Sequence, residues 1–292
     1  MSAVLAQGLA NGIMLGSLYG LIAVGLALIF GVLGIPQFAL GAHAMLGAYV
    51  VYVFTVSLGV NYWLALVAAA AALALLGLLV HALVFRPMST GPGINMFIAA
   101  FGVLLMLQSI AILVFGTRYY RVPSPIEGSL SIFNIFVTPQ RLMVIVVALL
   151  LIAGLHLFIM RTRTGAFIRA VADNPRGAAV VGIDVRKVGL TTMAIGSALA
   201  GIAGGLIAPI GQVYPAMGDL LIIKAFIVVV LAGMGSIYGA ILAGYALGLA
   251  ESLGGMYVSL AYQDAMAFVL LLAVLLVRPQ GLFGRRANEG LT

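Results

Sequence analysis

Apolar residues in this chain come in unbroken runs of about twenty, and polar residues gather in the short stretches between them. A helix crosses the roughly 30 Å hydrocarbon core of a bilayer in about 20 residues. A membrane strand would instead show two-residue alternation, which is absent here. The pattern predicts spans at 9–30, 38–56, 62–85, 95–115 and 141–160, and a sixth from Lys187 to about Ala208. Two shorter runs, 220–231 and 237–252, form either two short spans or a broken hairpin, and 265–277 closes the series. The expected architecture is all-α: a polytopic transmembrane bundle of eight to ten spans, forming one domain over residues 1–292.

The breaks follow from backbone chemistry. Pro36 removes a helical hydrogen bond after the first span, Pro87 follows the charged Arg86, and 232–236 reads Ala-Gly-Met-Gly-Ser. At an offset of 201 residues, Gly34, Leu46 and Gly47 match Gly235, Leu247 and Gly248, which hints at an internal repeat with broken helices. Such breaks at corresponding places often mark a transport path. Gly12, Gly16 and Gly20 give the first span a flat face that packs internally or against a subunit.

Composition removes the soluble alternative. Only 7% of residues are charged and mean hydropathy is +1.25, whereas soluble domains carry about 25% charged residues. The net charge of +7 fits basic loops on the cytoplasmic side, and with no aromatic-rich soluble domain to present it, nucleic acid is not an expected partner. The absence of cysteine excludes disulfides and thiolate chemistry, and His43, His81 and His156 are too isolated for a metal site. No basic residue precedes Arg86, so the first apolar run is expected to be a retained span rather than a signal peptide.

The one charged segment is 160–189, with six of the 14 basic residues and two of the seven acids. Taking 161–187 as cytoplasmic puts Arg86, Arg278, Arg285 and Arg286 on the same side and leaves Arg118, Arg121 and Arg141 near the outer face. The N-terminus then lies outside, the C-terminus inside, and 116–140 becomes an ordered outer loop. Within the charged segment Asn174 is a helix N-cap, Pro175 a first helical residue and Gly182 a C-terminal stop. The resulting two-turn helix, 175–181, follows another over 166–172. Its small apolar surface of Ala178, Ala179 and Val181 beside Arg176 suits either insertion into a partner's groove or a place on anionic lipid. The residues alone do not separate these.

Among ionisable groups, Lys224 and Glu251 fall at membrane depth, where charge is paired or functional; Asp219 and Asp264 are expected at the interface. Gln37 and His43 flank the Pro36 break and are candidates for the translocation path together with Lys224 and Glu251. The chain has no G-x-x-x-x-G-K-[ST] phosphate loop and no Ser/His/Asp or paired-carboxylate constellation. An enzyme, or a pump that hydrolyses ATP by itself, therefore has no basis in the residues.

The loop resembles the cytoplasmic coupling loop of permease subunits of branched-chain amino acid ATP-binding-cassette (ABC) importers, whose pattern is roughly G-x-x-x-R-A-x-x-x-[NDE]-x-x-x-A-x-x-x-G-I. Gly165, Arg169, Ala170, Asn174, Ala178, Gly182 and Ile183 occupy those positions. Similarity extends to Asn11-Gly12, Gly16-Ser17, Phe38-Ala39, Gly41, Gly47, Tyr49, Lys224-Ala225-Phe226, Gly233-Met234-Gly235-Ser236 and Glu251. The resemblance implies a multi-pass permease in a bacterial inner membrane that moves branched-chain amino acids or a related small solute. Its implied partners are a second related permease (as heterodimer or homodimer), two cytoplasmic ATPases that bind ATP and Mg, and a periplasmic solute-binding protein. No cofactor is expected in this chain, and Gly165, Arg169, Asn174, Pro175, Arg176, Ala178, Ala179 and Gly182 would form the ATPase-docking coupling element. Where the family commonly reads N-F-A-H-G-E, this chain reads Gln37-Phe38-Ala39-Leu40-Gly41-Ala42, so roles tied to that histidine and acid do not transfer. The alternative is a self-sufficient secondary transporter or channel for a small polar solute, which should carry midplane carboxylates for a coupling ion.

Overall fold

The computed structural model describes residues 2–88, 91–126, 128, 130–132, 135–257, 259 and 262–283. The helices are α1 (Ser2–Leu33), α2 (Ala39–Ser57), α3 (Tyr62–Met88), α4 (Gly93–Phe115) and α5 (Pro139–Arg161), followed by two short ones, α6 (Arg163–Asp173) and α7 (Pro175–Val180). The last four are α8 (Val185–Ile207), α9 (Met217–Ala232), α10 (Ile237–Tyr257) and α11 (Gln263–Val277). Helices α2 and α3 each carry a π-helical stretch, Val53–Ser57 and His81–Phe85.

Seven of these helices are long and apolar enough to cross a membrane. Helices α9 and α11, with 16 and 15 residues, are shorter, about 22–24 Å at about 1.5 Å per residue. The two apolar runs at 220–231 and 237–252 are thus separate helices, α9 and α10, turned by glycines with φ of 91° at Gly233 and 88° at Gly235. The connection between α4 and α5 adds something the apolar pattern did not predict, a two-stranded antiparallel hairpin, β1 (Leu130–Ile132) and β2 (Ile135–Val137). Alternation over three residues is too short to read in a Pro-rich stretch. Arg285 and Arg286, expected on the loop side, lie outside the described residues.

Helix α1 is the axis of the bundle, with Leu21, Ile22, Ala23 and Val24 fully enclosed. Its glycine face meets α10: a Cβ placed on Gly16 would lie 2.7 Å from the Tyr245 Cα, and one on Gly12 would lie 2.9 Å from the Leu249 Cα. Of the two uses foreseen for Gly12 and Gly16, internal packing is the one realised. A second backbone-to-backbone seam joins α2 to α8, where Gly47 meets Gly201 and Gly204 meets Ala44. Close approach of this kind supplies dispersion contact in a solvent that gives no hydrophobic drive between helices.

Two ends of the bundle can be told apart by their contacts. At one, Leu282 and Phe283 donate backbone N–H groups to the Leu231 and Ala232 carbonyls at 2.8 and 2.9 Å, and His156 meets the Tyr238 hydroxyl at 3.0 Å. At the other, Tyr120 and Val213 exchange two backbone bonds of 2.9 Å, and Tyr62 donates to the Gly205 carbonyl at 3.0 Å. Successive long helices run between these ends in alternation. The glycines of the 201-residue offset share a left-handed conformation, Gly34 (φ 66°) directly after α1 and Gly235 (φ 88°) in the turn between α9 and α10. They do not share a partner: Gly47 packs on α8 and Gly248 on α1.

Candidate coupling loop and membrane-embedded charge network

The 162–184 loop is a built structure rather than a solvated tether. Thr162 caps α6 by accepting from the Gly165 amide at 3.0 Å while its hydroxyl donates to the Phe158 carbonyl at 2.7 Å. Gly165 lies against the backbone of Ile159 and Phe158, where any side chain would collide. Arg169 reaches back and donates to the Ile159 carbonyl, one of the last acceptors of α5, where a cation also suits the helix dipole. Ile168 and Val171 face inward and are buried. Gly165 and Arg169 therefore clamp α6 onto the end of α5.

Helix α7 begins as its residues dictate. The Asn174 side chain accepts from the Gly177 amide at 2.9 Å, and Pro175 takes the first helical position. It ends in a Schellman motif: Gly182 (φ 85°) donates to the Ala179 carbonyl at 3.1 Å and Ile183 to the Ala178 carbonyl at 3.0 Å. Asp184 then caps α8, accepting from the Arg186 and Lys187 amides at 3.1 and 3.2 Å. The Lys187 amide bond is the main reason that its carboxyl is held below the usual 3.8.

The expected surface of Ala178, Ala179 and Val181 needs correction. Ala178 is only 5% exposed and packs inward, whereas Val180 and Val181 are 87% and 75% exposed. The outward apolar face is Ala179, Val180 and Val181, with Arg176 exposed on the same short helix. Two turns are too few for periodicity to show which alanine points inward.

The second concentration of charge lies inside the bundle. The Lys224 ammonium of α9 is 2.9 Å from the Glu251 Oε2 of α10 and 2.8 Å from the Asp264 Oδ1 of α11. The Tyr19 hydroxyl of α1 donates to the same Glu251 oxygen at 2.8 Å and accepts from Lys224 at 3.0 Å. Lys224 and Glu251 are paired, and four helices are tied through one ammonium. Asp264, expected at the interface, keeps 63% exposure but also holds Lys224. Asp219 accepts from Gln108 on α4 at 3.2 Å. Tyr19 was not among the candidates, although a tyrosine hydroxyl within an apolar span is itself a sign of a buried partner.

The remaining path candidates do not join this network. Gln37 and His43 are fully buried. Gln37 donates weakly to the Met193 sulfur at 3.8 Å, and the His43 Nδ1 lies 2.6 Å from the Ala39 carbonyl one turn earlier on its own helix. Around the Pro36 break the rings of Phe38, Phe101 and Phe226 fill the space, with Phe38 centred 4.6 and 5.2 Å from the other two. Among the described residues no group of three or more His, Cys, Asp or Glu is placed to hold a metal.

A family profile described as "Branched-chain amino acid transport system / permease component" matches residues 8–275, which include both the clamped loop and the charge network. The high-affinity branched-chain amino acid transport system permease protein LivH of Salmonella typhimurium is 35% identical over 297 residues, covering 97% of this chain and 96% of LivH. The chain belongs to the branched-chain amino acid transport permease family. The permease is likewise 34% identical to the corresponding protein BraD of Pseudomonas aeruginosa, covering 97% of each. Its backbone is similar to that of PsaBC from Streptococcus pneumoniae in complex with Fab, with a TM-score of 0.54 at 14% identity, covering 96% of the permease and 97% of that chain. At that identity the likeness concerns the fold alone.

Proposed function

We propose that this chain is the membrane-spanning subunit of an ABC importer that carries branched-chain amino acids across a bacterial inner membrane. The relatives named for that transport, matched over nearly their whole length, support the solute class. The observation that carries the mechanism is the way α7 is mounted. It presents Ala179, Val180, Val181 and Arg176 outward while Arg169 and Gly165 fix the preceding helix α6 to α5, and the Gly182 turn and Asp184 cap join its other end to α8. A displacement of α7 is thus passed to two long helices at once.

In this reading two cytoplasmic ATPases, which bind ATP and Mg, receive the two α7 helices of a pair of related permeases. When they close, α5 and α8 tilt. Helix α8 meets α2 backbone to backbone at Gly201 and Gly204, so little side-chain interlocking resists movement at those two points. A periplasmic binding protein delivers solute to the opposite end. The end carrying the loop is cytoplasmic because Arg86, Arg161, Arg163, Arg169, Arg176, Arg186, Lys187 and Arg278 belong to it, and the 116–138 connection is periplasmic.

The test is purification of tagged permease with its candidate ATPase, followed by leucine uptake in proteoliposomes. ATP-dependent uptake with an ATPase retained is the expected result. Uptake that persists without ATP, in a permease that retains no ATPase, would establish the secondary-transporter alternative instead.

A further inference from the structure

At the end of the bundle remote from α7, a cavity of about 410 Å³ opens among α1, α5, α10 and α11. That volume lies within the range of about 300–1,000 Å³ typical of small-molecule sites. Its polar lining comes from Asn11, Arg141, Ser252 and Gln263. Met14, Leu15 and Met256 supply the apolar wall. The Arg141 guanidinium donates to the Asn11 side-chain oxygen, the single acceptor it meets among the described residues, and no described carboxylate pairs with it. Ser252 is engaged with the Gly8 carbonyl at 2.7 Å, so the free hydrogen-bonding capacity of the cavity belongs to Arg141, Gln263 and the amide N–H groups of Asn11, whose oxygen is taken by Arg141.

We propose that this cavity receives a zwitterionic amino acid with an aliphatic side chain, its carboxylate on Arg141 and its ammonium on the Gln263 amide oxygen. The inference rests on the importer reading above and names the site at which that solute is first held by the permease. An arginine steered by one neutral contact and lacking an acid partner is built to take a carboxylate through its remaining N–H groups. Flexible thioethers on Met14 and Met256 fit valine, leucine and isoleucine equally, since methionine repacks around differently branched chains. An anionic lipid headgroup would call for a cluster of several Lys or Arg residues, whereas this cavity has one.

The experiment is equilibrium binding of radiolabelled leucine to the full permease complex in nanodiscs of phosphatidylcholine only, without binding protein. Wild type should bind saturably, leucinol, which lacks the carboxylate, should compete poorly, and Arg141→Gln should weaken binding at least tenfold. Arg141→Lys should recover part of the loss, which separates lost charge from lost folding, and Arg121→Gln, on the outer connection and away from the cavity, should bind as wild type does. Equal leucine binding in wild type and Arg141→Gln overturns the proposal. So does a phospholipid retained by wild type, lost in Arg141→Gln and seen by native mass spectrometry where leucine does not bind. If the complex imports leucine with ATP yet shows no Arg141-dependent binding, the site is wrong and the importer stands; if it imports no leucine, the importer reading itself falls.

Discussion

In the 162–184 loop and its flanks, Arg163, Arg176, Arg186 and Lys187 stand exposed, whereas Lys224 has 12% of its side chain exposed and is shared by Glu251, Asp264 and Tyr19. Exposed charges of this kind contribute little individually to a fold; the local structure of that region is carried by Asn174, Gly182, Asp184 and the Arg169 clamp. In the bundle the reverse holds. Removing Glu251 leaves the largely buried Lys224 with only the exposed Asp264 as its counter-charge, and breaking a buried pair costs about 3–5 kcal/mol. A surface ion pair such as Lys187–Asp184, at 3.6 Å with the lysine 84% exposed, contributes little.

That contrast fixes an order of effects. Glu251→Ala should destabilise most, by about 3–5 kcal/mol, lowering the midpoint of thermal unfolding in detergent. The double change Lys224→Met with Glu251→Leu should recover much of the loss, and failure to recover would mean that the network acts through more than charge pairing. Ala178→Trp should cost about 1–3 kcal/mol by overpacking. Val181→Asp should leave stability within about 0.5 kcal/mol yet weaken ATPase association about tenfold, the equivalent of about 1.4 kcal/mol. If Ala178→Trp and Val181→Asp exchange those effects in paired unfolding and pull-down measurements, the assignment of the faces is wrong.

Gly182→Ala puts a side chain at φ 85° and should cost about 1–2 kcal/mol locally, read as faster amide exchange at Gly182 and Ile183 with the unfolding midpoint almost unmoved. The smallest effect concerns Asp184. Its carboxyl is depressed below the usual 3.8 by the Lys187 and Arg186 amides, so its capping is fully present above that value and is lost as pH falls through the lower folded value. Protection of the Arg186 and Lys187 amides, corrected for intrinsic exchange, should drop below about pH 3.8 in the wild type and stay flat in Asp184→Asn, whose amide caps without titrating.

The two regions also differed in how far they could be read from the chain. Asn174, Pro175 and Gly182 sit within eight residues of one another and each acts on its own backbone, so their roles are local and the helix they delimit was found to within one residue. The network joins positions 19, 224, 251 and 264. Spacing along the chain says nothing about such a meeting, and only the rule that charge at membrane depth needs a partner pointed to Lys224 and Glu251. Asp264 escaped because it lies in the second residue of a helix, where a carboxylate already suits the dipole. Gln37 and His43 were chosen for standing beside a broken helix, but Phe38 in the break itself packs against Phe101 of α4 and Phe226 of α9.

The glycine seam between α1 and α10 also sets a timetable for assembly. Gly12 and Gly16 leave the ribosome more than 220 residues before Gly244 and Gly248, the positions they rest against. At about 5–20 residues per second, the bare face of α1 waits on the order of ten seconds or longer for its counterpart. During that interval lipid, or another protein, must cover the groove that α10 later fills, so a helix synthesised well before its partner is among the last to reach its native surroundings.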